Sequence, residues 1–305
     1  MKLRHIISAK QFDKNTLSNL FSIVDKIKAK KYPKNALRGK IMATLFYEPS
    51  TRTRLSFESA MLRLGGSVVA TDNAAEFSSA IKGETLEDTI RVVNSFCDVV
   101  VLRHFVSGAS EIAASYSKVP VINAGDGSHE HPTQALLDLY TIFSKFKNPD
   151  FTVAMVGDLA TYRSVHSLSY LLTLYPRVKF IFVSPDKLRI FPELRERLKK
   201  SGNEFTETDK LVDGLREADV IYQTRIQKER LTKSDYKKYF GVYVIDKNSL
   251  KLMKKNAVIM HALPRINEIT KDVDKDPRAI YFEEAQNGLY VRMALLLYLF
   301  DPVRD

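Results

Sequence analysis

The 305-residue chain has one cysteine, Cys97, so it can form no intrachain disulfide and can build no multi-cysteine metal site by itself. Cys97 continues the apolar stripe Leu86, Ile90, Val93, which predicts a buried core thiol rather than a nucleophile. No apolar run approaches the roughly 20 residues that a bilayer crossing takes, so no membrane partner is expected. The segment Met1 to Ser8 has neither the continuous apolar stretch nor the small-residue cleavage site of a secretory signal, and the expected location is cytoplasmic. Aromatic and basic nucleic-acid motifs are missing, so no nucleic-acid partner is expected either. No Walker lysine follows a glycine-rich loop. The stretch Gly157-Asp158-Leu159-Ala160-Thr161-Tyr162-Arg163 also lacks the further glycines that let a backbone approach a pyrophosphate.

Positive charge, by contrast, is in excess: the formal balance is +11. A basic surface gathers anionic ligands in general, so this points to anions without naming one. Many of the lysines, such as Lys247, Lys251, Lys254 and Lys255, recur at helical spacing and are expected simply to form a solvated face.

The length exceeds what one ordinary core needs and suits two domains of about 150 residues each. Short β-rich runs alternate with helical patterns: Ile41 to Tyr47, Asp98 to Leu102, Val119 to Asn123, Phe151 to Val156, Val178 to Val183, Asp219 to Thr224 and Ala257 to Ala262. Strands separated by helices imply parallel sheets covered on both faces. The expected fold is therefore α/β, two domains each with a parallel sheet flanked by helices. A helix from Pro132 towards Phe146 divides the two groups of strands, and a last helical pattern runs from about Asn287 to Phe300. These are the two expected bridging helices. The expected domains are 1–131 plus 287–305, and 132–286 including the first bridging helix.

The first strand runs into Glu48-Pro49 and then Ser50-Thr51-Arg52-Thr53-Arg54, after which Phe57, Ala60, Met61 and Leu64 mark a helix face. The hydroxyls therefore stand at a helix N-terminus and at the carboxyl end of a strand, where free N–H groups and the helix dipole favour an anion. A lone Ser-Thr pair would be read as a simple N-cap. Two arginines and three hydroxyls within five residues argue for more, because a planar guanidinium grips two phosphate oxygens at once. Arg103 and His104 follow another strand of the same group. His131 stands just before a proline at a first helical turn, with Gln134 one turn on. In the second half, Arg163 follows the first strand and Arg225 with Gln227 follows a later one, and arginines so placed suit a carboxylate.

Together these segments resemble the aspartate carbamoyltransferase family over essentially the whole chain. The resemblance is carried by Phe46 to Arg54 (FYEPSTRTR), Lys82 to Thr89 (KGETLEDT), Asn123 to Asp138 (NAGDGSHEHPTQALLD), Thr224 to Leu231 (TRIQKERL) and His261 to Arg265 (HALPR). It implies transfer of the carbamoyl group of carbamoyl phosphate to the amino group of L-aspartate in pyrimidine biosynthesis, with no metal and no cofactor. By the same resemblance Ser50, Thr51, Arg52 and Thr53 hold carbamoyl phosphate through its phosphate. Thr53, Arg103 and His131 reach the carbonyl oxygen, while Gln134 and the Pro264 region receive the carbamoyl amine. Arg163, Arg225 and Gln227 hold the aspartate carboxylates, with Leu263 beside them. Ser78 and Lys82 enter from a neighbouring subunit, which implies a homotrimer. Some relatives join such trimers through separate zinc-containing regulatory chains.

Two positions depart from the family pattern: Tyr162 stands where a glycine commonly precedes the first aspartate-binding arginine, and Ala262 replaces a common proline. The competing readings are a carbamoyltransferase with another acceptor, such as ornithine, and a non-catalytic anion-binding protein. Ornithine enzymes resemble His-Cys-Leu-Pro at the late segment and place acidic groups around a cationic side chain, whereas this chain has His261-Ala262-Leu263-Pro264 and Thr224-Arg225-Ile226-Gln227.

Overall fold

The continuous apolar runs become strands buried on both faces. In the computed structural model, which describes residues 4–71, 83–228 and 231–301, the strands form two wholly parallel sheets. The first comprises β1 (Ile41–Phe46), β2 (Ser67–Thr71), β3 (Val99–His104) and β4 (Val121–Asp126) in the order β2-β1-β3-β4. The second comprises β5 (Thr152–Val156), β6 (Lys179–Val183), β7 (Phe205–Thr208), β8 (Val220–Gln223) and β9 (Val258–Met260) in the order β7-β6-β5-β8-β9.

The chain divides into two compact units, residues 1–137 with 286–305, and residues 138–285. In the first, Ala43, Leu45, Val100, Leu102 and Val121 meet Ile90 and Ala113 from the helices Leu86–Val93 and Ala109–Tyr116. In the second, Ala154, Val156, Ile181, Val183, Ile221 and Ile259 pack with Leu215, Tyr243 and Tyr281. Two helices pass from unit to unit. Pro132–Lys145 starts in the first and ends in the second; Tyr281–Phe300 starts in the second and ends in the first.

Both units start their central strands with the same device. The Asp98 carboxylate accepts from the Ile41 N–H (2.9 Å) and from Lys40 Nζ (2.9 Å), and the Asp98 N–H donates to the Ile41 carbonyl (2.8 Å). Asp219 does likewise with the Thr152 N–H (2.9 Å), Lys254 Nζ (2.8 Å) and the Thr152 carbonyl (2.8 Å). Each aspartate caps the first N–H of a central strand and donates its own N–H to the same residue's carbonyl, which fixes the register of β1 with β3 and of β5 with β8 at the strand starts.

The structure differs from the sequence reading at the sheet edges. β2 and β7 were not expected; both are edge strands with no buried residue, β7 has no apolar run, and that of β2 is only the three residues Val68-Val69-Ala70. The last helix begins at Tyr281 rather than Asn287, with Glu283 and Glu284 in its first turn. Lys247, Lys251, Lys254 and Lys255 are exposed, but they lie on a short 3-10 turn, Ser249–Lys251, and irregular chain rather than on one α-helix. Cys97 is only half-buried against the first core, and burial pushes its thiol up, away from the reactive thiolate.

Candidate functional site

In an open parallel sheet, ligands settle beyond the carboxyl ends of the strands where the winding direction reverses. From β1 the chain proceeds to β2 on one side and then to β3 on the other, so that point lies between β1 and β3. There Tyr47 N–H donates to the Arg103 carbonyl (2.8 Å), and the chain turns through Glu48 and Pro49 into the helix Thr51–Arg63. Ser50 is the N-cap of that helix, yet its side chain makes no capping hydrogen bond, so capping does not account for its hydroxyl. Thr51 and Arg52 are exposed in the first turn and Thr53 is buried. Arg54 is tied to Glu58 (Nε to Oε1, 2.8 Å), which also accepts from Thr44 Oγ1 (3.0 Å). That bond makes Arg54 a brace between β1 and the helix.

Arg103 closes β3 and is largely buried. Its Nη1 donates to the Ala124 carbonyl (3.2 Å) and its Nη2 pairs with Glu48 Oε2 (3.0 Å), so one guanidinium ties together the ends of β1, β3 and β4. Its neighbour His104 is structural: Nδ1 accepts from the Val106 N–H (3.0 Å), the ring stacks on Phe105, and burial lowers its pKa against the pull of Asp126 and Glu48. After β4 the loop to His131 is braced internally. Asp126 accepts from Asn123 Nδ2 (3.1 Å), the Glu130 N–H (3.2 Å) and the Gly108 N–H (3.0 Å), and Glu130 accepts from Ser8 Oγ (2.6 Å) and the Ala9 N–H (2.7 Å). The loop delivers a buried His131 whose carbonyl starts the helix Pro132–Lys145, accepting from the Gln134 and Ala135 N–H groups. Thr133 Oγ1 lies 3.5 Å from His131 Nδ1, and Gln134 is buried one turn along.

The second sheet repeats the arrangement, with its reversal between β5 and β8. Gly157 ends β5 at φ 113, and a Cβ there would lie 2.5 Å from Thr224 Oγ1 and 2.7 Å from the Thr224 carbonyl oxygen. Thr224 in turn stitches the strand ends, its hydroxyl donating to the Val156 carbonyl (2.8 Å) and accepting from the Asp158 N–H (2.8 Å). Asp158 accepts from Thr161 N (2.9 Å) and Oγ1 (2.5 Å); burial pushes its carboxyl up, against these bonds and those from the Ala160 and Gln227 N–H groups. One buried carboxylate thus ties the turn leading to Arg163 to the segment carrying Arg225 and Gln227. Arg163 is the first residue of the helix Arg163–Leu172, with Tyr162 at its N-cap. Tyr162 has φ −84, so the bulky residue stands here without left-handed strain.

Beyond β9, His261 is buried, its Nε2 2.8 Å from Glu268 Oε1 and its Nδ1 accepting from the Leu263 N–H (2.7 Å). Leu263 has φ 54, unusual for a branched side chain, and is followed by a cis bond to Pro264. Arg265 is pinned by the Asp274 carboxylate and by Tyr281 Oη (2.8 Å). Ser78 and Lys82 lie outside the described residues. The sequence reading also left out Asp126, Glu130 and Asp158, which brace the site loops; Asp126 and Asp158 stand next to turn glycines, and Glu130 carries no such local signal. Among the described residues no His, Cys, Asp and Glu group could hold a metal ion, and no helix is long and apolar enough to cross a membrane.

Gly157→Ala should lower stability by more than about 1 kcal/mol, because the methyl must displace Thr224 and the residue must keep a positive φ. The expected result in thermal unfolding is a clear drop in midpoint; an unchanged midpoint would show that the stitch is not needed.

The family model for the carbamoyl-P binding domain of aspartate/ornithine carbamoyltransferases matches residues 4–144, and that for the Asp/Orn binding domain matches residues 149–299. The chain is 53% identical to the chloroplastic aspartate carbamoyltransferase of Arabidopsis thaliana, over 98% of this chain and 78% of that one. It is 48% identical to the aspartate carbamoyltransferase catalytic subunit of Clostridium novyi, over 96% of both. The catalytic subunit of M. jannaschii aspartate transcarbamoylase superposes with a TM-score of 0.90 at 45% identity, covering 99% of this chain and 100% of that one. The Trypanosoma cruzi aspartate transcarbamoylase in complex with carbamoyl phosphate and aspartate superposes at 0.89 with 39% identity, covering 98% and 95%. Matched from end to end by both domain models and by relatives at about half identity, the chain belongs to the aspartate/ornithine carbamoyltransferase family, and within it to the aspartate carbamoyltransferases.

Proposed function

We propose that the chain transfers the carbamoyl group of carbamoyl phosphate to the amino group of L-aspartate, giving N-carbamoyl-L-aspartate and phosphate. The observation that carries this is the placement of arginines at both sheet reversals, Arg52 and Arg103 at one and Arg163 and Arg225 at the other. A phosphate dianion and two carboxylates repel one another, and each close pair with a guanidinium is worth roughly 4 kcal/mol at an effective dielectric near 20, before desolvation. The second reversal carries Arg163, Arg225 and Gln227, side chains that suit carboxylates, which favours aspartate over ornithine.

Ser50, Thr51, Arg52 and Thr53 bind the phosphate at the helix N-terminus. The neutral amine of aspartate attacks the carbamoyl carbon, charge develops on its oxygen, and Thr53, Arg103 and His131 donate to that oxygen. Gln134 with the Pro264 region orients the carbamoyl amine. The leaving phosphate takes up the proton lost by the amine, so the chemistry needs no metal or organic cofactor. Arg163, Arg225, Gln227 and Leu263 hold the acceptor. Lys82 and Ser78 complete the site from a neighbouring copy in a homotrimer; a separate zinc-containing regulatory chain and a cytoplasmic location complete the proposal.

Phosphate release that requires both carbamoyl phosphate and L-aspartate tests the assignment, and turnover with ornithine in place of aspartate would overturn it. Within it, Arg52→Ala is expected to weaken carbamoyl phosphate binding and Arg225→Ala to raise KM for aspartate, each by about ten-fold or more. Direct binding of carbamoyl phosphate separates the two. If both variants lost only that binding, the division of labour would be wrong.

A further inference from the structure

The second unit buries two carboxyl groups that the transfer reaction does not use. Asp138, on the helix Pro132–Lys145, is 0% exposed, and Glu284, in the first turn of Tyr281–Phe300, is 1% exposed. Tyr222 Oη on β8 donates to Asp138 Oδ2 (2.8 Å), and the His261 backbone N–H donates to Glu284 Oε2 (2.8 Å). The remaining Glu284 oxygen receives no N–H or O–H from the described residues; the Glu284 carboxyl instead meets that of Asp138. Two carboxylates cannot bond to each other, and two buried like charges in contact cannot both persist, so one of the pair carries a proton and donates it to the other.

We propose that Asp138 and Glu284 share one proton and act as positioning residues for the acceptor half of the site, holding Glu284 Oε2 on the His261 N–H and thereby fixing the His261–Leu263 turn. The inference rests on the reading of Leu263 as a contact of the amino-acid substrate. The mechanical link is short. The His261 backbone is held by Glu284, its imidazole accepts the Leu263 N–H, and the same ring is fastened to Glu268. Leu263 stands at φ 54, a conformation that a leucine keeps only where its surroundings impose it.

The other groups around the pair agree with a single proton. Burial and the Asp138 carboxyl push Glu284 well above the carboxylate range, with only the His261 N–H pulling it down. Burial raises the Tyr222 and Tyr162 phenols, so both stay neutral donors, while Arg225 opposes the shift at Tyr162. Burial alone would raise Glu268 too, but the His261 imidazole beside it prevails and holds it ionised.

Infrared spectroscopy at neutral pH tests the shared proton directly. The wild-type protein should show the C=O stretch of a buried protonated carboxyl, absent from both Glu284→Gln and Asp138→Asn. Each amide variant leaves one carboxylate and one neutral N–H donor, so the net charge of the pair and its bond are kept while its proton is removed. Steady-state kinetics test the positioning. Glu284→Ala should raise KM for L-aspartate by about ten-fold, the loss expected of one buried hydrogen bond left unmade, with a much smaller change in kcat. Glu284→Gln should restore KM. Absence of the protonated-carboxyl band from the wild type, its persistence in both amide variants, or a wild-type KM in Glu284→Ala would each overturn the proposal. Should the alanine variant fail to fold, a raised KM in Glu284→Gln that matches loss of the turn would overturn it equally. A protein inactive with aspartate but showing the band would instead count against the functional reading.

Discussion

His131→Ala is expected to lower kcat by about 10²–10³-fold, the usual loss when one donor to a developing oxyanion is removed. The fold should survive the change. His131 starts the helix Pro132–Lys145 through its carbonyl, which alanine also has, and the loop before it is braced by Asp126 and Glu130. Its side chain is buried, so truncation costs some packing; the 3.5 Å contact with Thr133 Oγ1 is at the limit of a hydrogen bond. Turnover and thermal unfolding measured on the same preparation separate the two roles. A large drop in unfolding temperature, with undiminished turnover in the protein that remains folded, would make His131 a structural residue.

An equally large effect is expected from mixing two inactive chains. Arg52→Ala removes a phosphate ligand, and Lys82→Ala removes a cation that the family resemblance assigns to the neighbouring copy's site. Dissociated together and allowed to reassociate, the two variants produce some sites that draw Arg52 from one chain and Lys82 from the next. Each required residue is present with a chance of about one half, so about a quarter of the sites in a cyclic trimer should recover. Mixed assemblies that form, as verified by mass, and yet show no more activity than either parent would rule out the shared site while leaving the reaction assignment intact.

Most of the fold could be read along the chain because these parallel sheets bury most of their strands on both faces, the edge strands β4 and β9 included. β1, β3, β4, β5, β6, β8 and β9 each coincide with an apolar run. β7 does not, since Phe205-Thr206-Glu207-Thr208 is a strand by virtue of pairing with β6 rather than by composition. β2 is likewise defined by its pairing with β1, although Val68, Val69 and Ala70 are apolar. The phosphate side of the site was legible for a local reason: five consecutive residues carry its hydroxyls and guanidinia at one helix start. What holds the site in place was not, because those bonds join distant positions. Thr224 reaches back to Val156 and Asp158, Glu130 to Ser8, and Glu284 to Asp138, and no window along the sequence contains both members of such a pair.

The division of the chain also orders its synthesis. Residues 138–285 form one uninterrupted unit, so on the ribosome all of its strands are available before the helix Tyr281–Phe300 has been completed. The other unit begins first and is finished last, because residues 286–305 belong to it and bring Val291, Met293, Leu295, Leu296 and Leu299 as buried side chains. That unit is therefore completed by a segment separated from the rest by a whole second unit. The entropic cost of that separation is small, since each doubling of a connecting loop adds only about 0.6 kcal/mol, and a prefolded insert shortens the effective loop further. The cost falls on time instead: until the last turns emerge, the first unit lacks the buried side chains they bring and stays only partly assembled.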